Sequence, residues 1–205
     1  MRIVLHYKGG PGSGFEGHAG RPGRVGGSSG VAGFKFITIN SAKSLVTNLS
    51  NRFGMPNVSV EDDLTGEFMA HARGAGIMID TKLLNDPKNF DTKYNDSIAQ
   101  NGLDVVTHEY GHIIQRELLL NDKYYTYGLS SPSIQRAHGM DWNTSLGQKL
   151  YTIAAKEGGN ISEYAKKDDG EYFAEAFILY NRGSGYWDRI NPDVLSVFKR
   201  LDITT

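Results

Sequence analysis

The segment DSIAQNGLDVVTHEYGHIIQRELLL, residues 96–120, constrains the fold more than any other part of the chain. Leu103, Val106, Tyr110, Ile113 and Leu118 recur near a helical period, which predicts a long helix with an apolar face. His108-Glu109-Tyr110-Gly111-His112 sits in its middle. Residues four apart on a helix share one face, about one turn apart. Two imidazoles so placed can converge on a single ion, with Glu109 beside it as a proton acceptor. Neutral imidazole suits zinc, and three protein ligands plus water make an open, reactive site. The competing reading is two histidines packed on an ordinary helix. Gly111 favours the metal arrangement, because glycine costs a helix about 1 kcal/mol relative to alanine and so marks close backbone approach.

A third ligand must come from another element. Glu171 and Glu175 in GEYFAEAF lie four apart on a second strongly helical stretch. Glu171 can ligate the ion while Glu175, one turn on, accepts the other ring N–H of a ligating histidine. The alternative is two solvated carboxylates on an amphipathic helix. Ala174, Ala176 and the surrounding aromatics argue for burial instead, and a buried carboxylate needs a compensating charge. Phe173, Phe177 and Tyr180 are expected to dock this helix on the first.

The rest of the chain supplies a small scaffold. Residues 1–33 form a Gly-, Ser- and Pro-rich arm, read as flexible, ahead of a domain over residues 34–205. The arm contains Gly12, Gly14 and Gly17 in a dinucleotide-like spacing, but HAGRPG follows it and cannot start the helix such a site needs. FKFITI reads as a strand, with Asn40 or Ser41 capping a helix that ends before Gly54. NVSVEDD, GEFMAHAR and GIMID read as short strands of a mainly antiparallel sheet. Gly158 and Gly159 are expected to stop the helix SLGQKLYTIAAKEG, Gly183 the helix of Glu171, and Pro192 to open a C-terminal helix. The predicted class is α+β, with the HEYGH helix packed between a small sheet and a helical C-terminal part.

Composition excludes several chemistries. There is no cysteine, hence no disulfide scaffold, thiol nucleophile or thiolate zinc site. Net charge is −1, which gives no footprint for nucleic acid. Four scattered cations on the arm read as a solvated tail. Ile3–Leu5 is too short for a signal-peptide core, and no run reaches membrane-spanning length. His6, His18, His71 and His138 lack ligand spacing, and the cluster Tyr124, Tyr125 and Tyr127 reads as packing.

HEYGH followed by SEYAKKDDGEYFAEAF resembles the lethal factor-like, gluzincin-type zinc metallopeptidases, over roughly residues 95–200. The resemblance implies a zincin-like fold, with His108, His112 and Glu171 as zinc ligands and Glu109 as general base. It also implies that Glu175 supports a ligating histidine and that Tyr164, seven residues before Glu171, assists the transition state. The large additional domains of anthrax lethal factor have no counterpart here, so its substrates and delivery do not carry over. Residues 121–160 show no pattern that maps onto the family. The arm is similar to a linker found in phage head-morphogenesis and minor capsid proteins, which implies phage head proteins as partners.

The expected function is a zinc-dependent endopeptidase acting on a peptide or protein substrate, laid along an exposed edge strand such as Gly76–Asp80. The alternative is a phage virion-associated structural or interaction domain with a non-hydrolytic metal site; self-processing of the arm is a third. The expected setting is cytoplasmic, virion-associated or delivered as an effector.

Overall fold

Thr38 starts the first helix in a way its neighbours do not advertise. Its hydroxyl accepts from the Ser41 amide at 3.1 Å, and Ser41 Oγ accepts from the Thr38 amide at 2.8 Å. This reciprocal cap satisfies two backbone donors at the start of helix α1 (Ile39–Phe53). The cap therefore lies two residues before Asn40, and the described part of the expected FKFITI strand, residues 36–39, is not a strand. Ile37 is buried, but its amide and carbonyl are taken by the side chain of Asn85, each at 2.8 Å. A single amide side chain thus satisfies the groups a neighbouring strand would have paired. Gly54, in the left-handed region at φ 64°, closes α1.

The computed structural model describes residues 36–55, 58–62, 68–73, 76–90, 96–119 and 142–204. The arm with its glycine pattern, the cluster Tyr124, Tyr125 and Tyr127, and His138 lie outside the described residues. Within them the fold is mixed α/β, mostly helical, with a sheet of β1 (Ser59–Asp62), β2 (Ala70–Arg73) and β3 (Gly76–Ile79). The strand order is β1-β3-β2. β2 pairs antiparallel with β3, but β1 pairs parallel with it, so the sheet is mixed rather than mainly antiparallel. β3 is therefore the central strand, paired on both sides, and the expectation that Gly76–Asp80 offers an open edge is wrong. The reason is one of long-range order: β1 crosses over to occupy the side that local sequence leaves vacant.

Asp80 then caps the single turn α2 (Thr81–Leu84). The HEYGH segment forms α3 (Gly102–Leu119), within the predicted stretch. Helix α4 spans Trp142–Ile161 and runs through Gly158 and Gly159, which do not stop it. Packing explains this: a Cβ on Gly158 would lie 2.8 Å from the Ala165 carbonyl oxygen, so the glycine is there to let the next turn dock. That turn is a short 3-10 helix, Tyr164–Lys166.

Helix α5 (Asp169–Arg182) is the centre of the molecule, buried at every residue from Gly170 to Tyr180. It packs most extensively on α3, and also on α4, the Tyr164 turn and the C-terminal helix α6 (Pro192–Leu201). Phe177 stacks on Tyr110 of α3 with ring centroids 6.1 Å apart, while Phe173 meets Phe198 of α6 at 4.9 Å. Tyr180 and Arg52 both bond Asp202, tying α1, α5 and the tail together. A helix buried all round forces any carboxylate it carries to find partners inside the protein. Among the described residues, no helix is long and apolar enough to cross a membrane.

Candidate metal centre

α3 presents His108 and His112, both fully buried, on the face turned toward α5. Gly111 sets the approach of the two helices. A Cβ at that position would lie 3.0 Å from Ala174 Cα and 3.1 Å from Phe177 Cβ. Backbone thus meets backbone at Gly111, as its place inside a helix implied. The close approach brings the first turn of α5 over the histidines, and Asp168 caps it by accepting the Glu171 amide at 2.9 Å.

Three donor atoms then converge. His108 Nε2 lies 3.0 Å from Glu171 Oε2 and 3.0 Å from His112 Nε2, and His112 Nε2 lies 3.5 Å from Glu171 Oε2. A tetrahedron with zinc–ligand arms of about 2.0–2.1 Å has edges of about 3.3–3.4 Å. The observed triangle is close to one face of it. His108, His112 and Glu171 form the one such group of three His, Cys, Asp or Glu side chains among the described residues. The cluster can bind a metal ion.

The nitrogen of His108 not aimed at the triangle makes no well-formed hydrogen bond, but it lies beside a carboxylate. His108 Nδ1 faces Glu175 Oε1 at 3.2 Å. A proton on Nδ1 leaves the Nε2 lone pair for a cation, and the charge of the nearby Glu175 favours that tautomer. Glu175 is held in turn by Ser97 Oγ at 2.6 Å, the Ile98 amide at 2.8 Å and Ser162 Oγ at 2.8 Å. His112 Nδ1 is buried and has no hydrogen-bond partner among the described residues.

The electrostatics follow from this packing. Burial works to lower the His108 pKa, but hydrogen bonds to Glu171 and Glu175 overcome it and raise it from 6.5 to about 10. Burial works to raise Glu171, but bonds from His108 and His112 hold it well below the usual carboxylate range. Glu175 is likewise lowered, burial being outweighed by His108, Ser97 and Ile98. Glu109 moves the other way. It is completely buried, and burial raises its pKa; His112, His108 and the Ala72 backbone pull it back only in part, while Glu171 pushes it further up. Neither of its oxygens makes a conventional hydrogen bond among the described residues.

Tyr164 completes the cluster. Its hydroxyl donates to Glu171 Oε1 at 3.2 Å, and its ring lies edge-on to His108 with centroids 5.9 Å apart. Burial, with the charges of Glu171 and Glu109, keeps the phenol protonated. Lys167 Nζ sits 3.6 Å over the outer face of its ring.

Sequence reasoning thus singled out His108, Glu109, His112, Tyr164, Glu171 and Glu175, which the fold gathers within and around one buried cluster. His71 stays apart from it, packing on Phe68. Missed were Ser97, Ser162 and the capping Asp168. Ser97 and Glu175 are 78 residues apart, with no spacing to connect them. Asp168, three residues before Glu171, could have been found as a helix cap. No protein-family model, curated protein or solved structure matches the chain.

Proposed function

We propose that the chain is a zinc-dependent endopeptidase of zincin-like, gluzincin type, with His108, His112 and Glu171 holding the metal. The observation that carries this is the triangle of buried donors at tetrahedral-edge distances, with a buried carboxylate beside it that no conventional hydrogen bond accounts for. Two neutral imidazoles and one carboxylate form a donor set suited to zinc, leaving a fourth position for water or substrate. A bound zinc would supply Lewis acidity and lower the pKa of water to about 7.

The chain's own groups divide the remaining work. Glu109 follows the first ligand in sequence and is electrostatically coupled to both histidines and Glu171. Its raised proton affinity suits a group that takes a proton from an attacking water and returns it to the leaving nitrogen. Tyr164 keeps its proton and, turned from Glu171, would donate a hydrogen bond to a developing oxyanion. Glu175 fixes the His108 ring. The same residues are the ones that the resemblance to gluzincin-type peptidases assigns to these roles.

The test is Glu109→Gln. Purified wild-type protein should contain one zinc and cleave members of a mixed peptide library. The variant should keep the zinc and lose cleavage by about 10²–10⁴-fold. Zinc retained with cleavage undiminished would remove Glu109 from its role. Zinc in both proteins with no hydrolysis of any peptide by either would favour the non-hydrolytic virion-associated alternative.

A further inference from the structure

We infer that Ser162 is a positioning residue that couples the orientation of His108 to the placement of Tyr164 by way of Glu175. This rests on the metal-centre reading, though not on hydrolysis.

The Glu175 carboxylate accepts three hydrogen bonds and lies beside the His108 ring. Oε1 receives Ser97 Oγ at 2.6 Å and faces His108 Nδ1 at 3.2 Å; Oε2 receives the Ile98 amide and Ser162 Oγ, both at 2.8 Å. Oε2 therefore has two donors, its ordinary capacity, while Oε1 has one donor and the His108 ring at ion-pair distance. The three donors and the His108 ring come from three separate stretches of chain. Two of those stretches also hold Tyr164. The Tyr164 amide donates to the Asp96 carbonyl at 3.1 Å, one residue before Ser97. The Ala165 amide donates to Ser162 Oγ at 2.9 Å.

Ser162 has one hydroxyl proton, and it is committed to Glu175; a lone pair on the same oxygen holds the turn of Tyr164. This atom bonds both the carboxylate behind His108 and the turn that delivers the tyrosine. A displacement of either reaches the other through one oxygen. Alanine at 162 would leave Glu175 Oε2 with a single donor and the buried Ala165 amide with none.

The competing interpretation is that Ser162 merely ends α4. Zinc affinity, measured by competition with a chromophoric chelator, separates the two, together with the visible spectrum of the Co²⁺-loaded protein and the melting temperature without metal. Ser162→Ala should weaken zinc binding about ten-fold, the low end for groups behind a ligand, and shift the Co²⁺ bands. Ser162→Thr, which keeps the hydroxyl, should restore both. In a Glu175→Gln background, Ser162→Ala should add little further loss. Ser97→Ala acts on the same carboxylate without touching Ala165. It should also weaken zinc binding, which keeps the inference testable if Ser162→Ala folds poorly.

A lowered melting temperature with wild-type zinc affinity and Co²⁺ spectrum would overturn the inference and leave the metal centre standing. So would a full additional ten-fold loss in the Glu175→Gln background. Wild-type protein that binds neither ion would instead overturn the metal centre itself, and this inference with it.

Discussion

Gly158 and Gly159 adjoin near the end of α4, yet alanine at the two positions should have opposite effects. A Cβ on Gly158 would sit 2.8 Å from the Ala165 carbonyl oxygen, 3.0 Å from its carbon and 3.0 Å from Lys166 Cα. All three are backbone atoms of the turn that carries Tyr164. They cannot swing aside, so the whole turn must retreat by several tenths of an ångström. Forced overpacking of this kind costs about 1–3 kcal/mol, while replacing a helical glycine returns about 0.5–1 kcal/mol. The net is a loss of up to about 2.5 kcal/mol with a midpoint of about 1 kcal/mol, or roughly 2–4 °C in Tm at that midpoint for a domain of this size. On Gly159 the Cβ would meet only Lys166 Cε at 2.9 Å and Nζ at 3.6 Å. That side chain is exposed and flexible, and its ion pair with Glu163 is a surface pair worth at most about 1 kcal/mol. Gly159→Ala should therefore raise Tm by about 1–2 °C. Thermal melts monitored by circular dichroism decide the sign. A peptidase assay adds a second axis, because Gly158→Ala displaces Tyr164 and should lower turnover while Gly159→Ala should not. Equal stabilisation by both substitutions would refute the docking of the Tyr164 turn on Gly158.

Two further outcomes follow from the charges of the cluster. Tyr164→Phe should keep zinc stoichiometry by metal analysis while lowering turnover about 10²–10³-fold, the loss typical of one oxyanion donor; unchanged turnover would detach the phenol from the reaction. The metal-free protein should lose stability as pH rises from neutral toward 10. His108 has a folded pKa raised from 6.5 to about 10, so its contribution is complete below 6.5 and is lost as pH climbs through the folded value. Glu109, also raised, acts in the same direction, beginning from the ordinary carboxylate range. Glu171 is lowered, and its contribution is lost only in strong acid. Zinc should reverse the trend, because ligation needs the imidazole deprotonated. Melts at about pH 6.5 and about pH 9.5, with and without Zn²⁺, read both slopes; a metal-free Tm that rises over this interval would contradict the assignment.

How much of this was legible depends on the range of the interaction that settles each point. The His108–His112 spacing needs only the period of a helix, and α3 forms within the predicted stretch. Glu171 and Glu175 were legible because their neighbours on α5 are too apolar for a solvated face. FKFITI failed because its strand texture is a local signal, while the groups that decide it belong to Asn85, 48 residues away. β3 was mistaken for an edge because strand order is set by which segment returns, and β1 returns in parallel. Gly158 carried a true signal with the wrong meaning. A glycine near a helix end reads as a stop, but here the missing side chain makes room for a neighbour. Ser97 carried no signal, since a serine hydroxyl reaching a carboxylate across the fold looks like any other serine.

The three buried carboxylates of the centre differ in how their charge is met, and that difference orders their roles. Glu175 has its donors supplied by the chain, whether or not His108 carries a second proton. Glu171 leans on Tyr164 and on imidazole nitrogens that lie 3.0 Å and 3.5 Å away. Those same nitrogens are the ones a cation would occupy. A proton shared among His108, His112 and Glu171 and a divalent ion held by the same three atoms thus satisfy one demand, and they compete for it. Glu109 has neither the donors of Glu175 nor the imidazole contacts of Glu171, and answers burial by holding its own proton more tightly. A cation at the triangle would lower that proton affinity through space. Loading the metal would then bring Glu109 back toward the range in which a carboxylate both accepts and releases a proton. The carboxylate least compensated by the packing is the one whose proton the reaction would need to move.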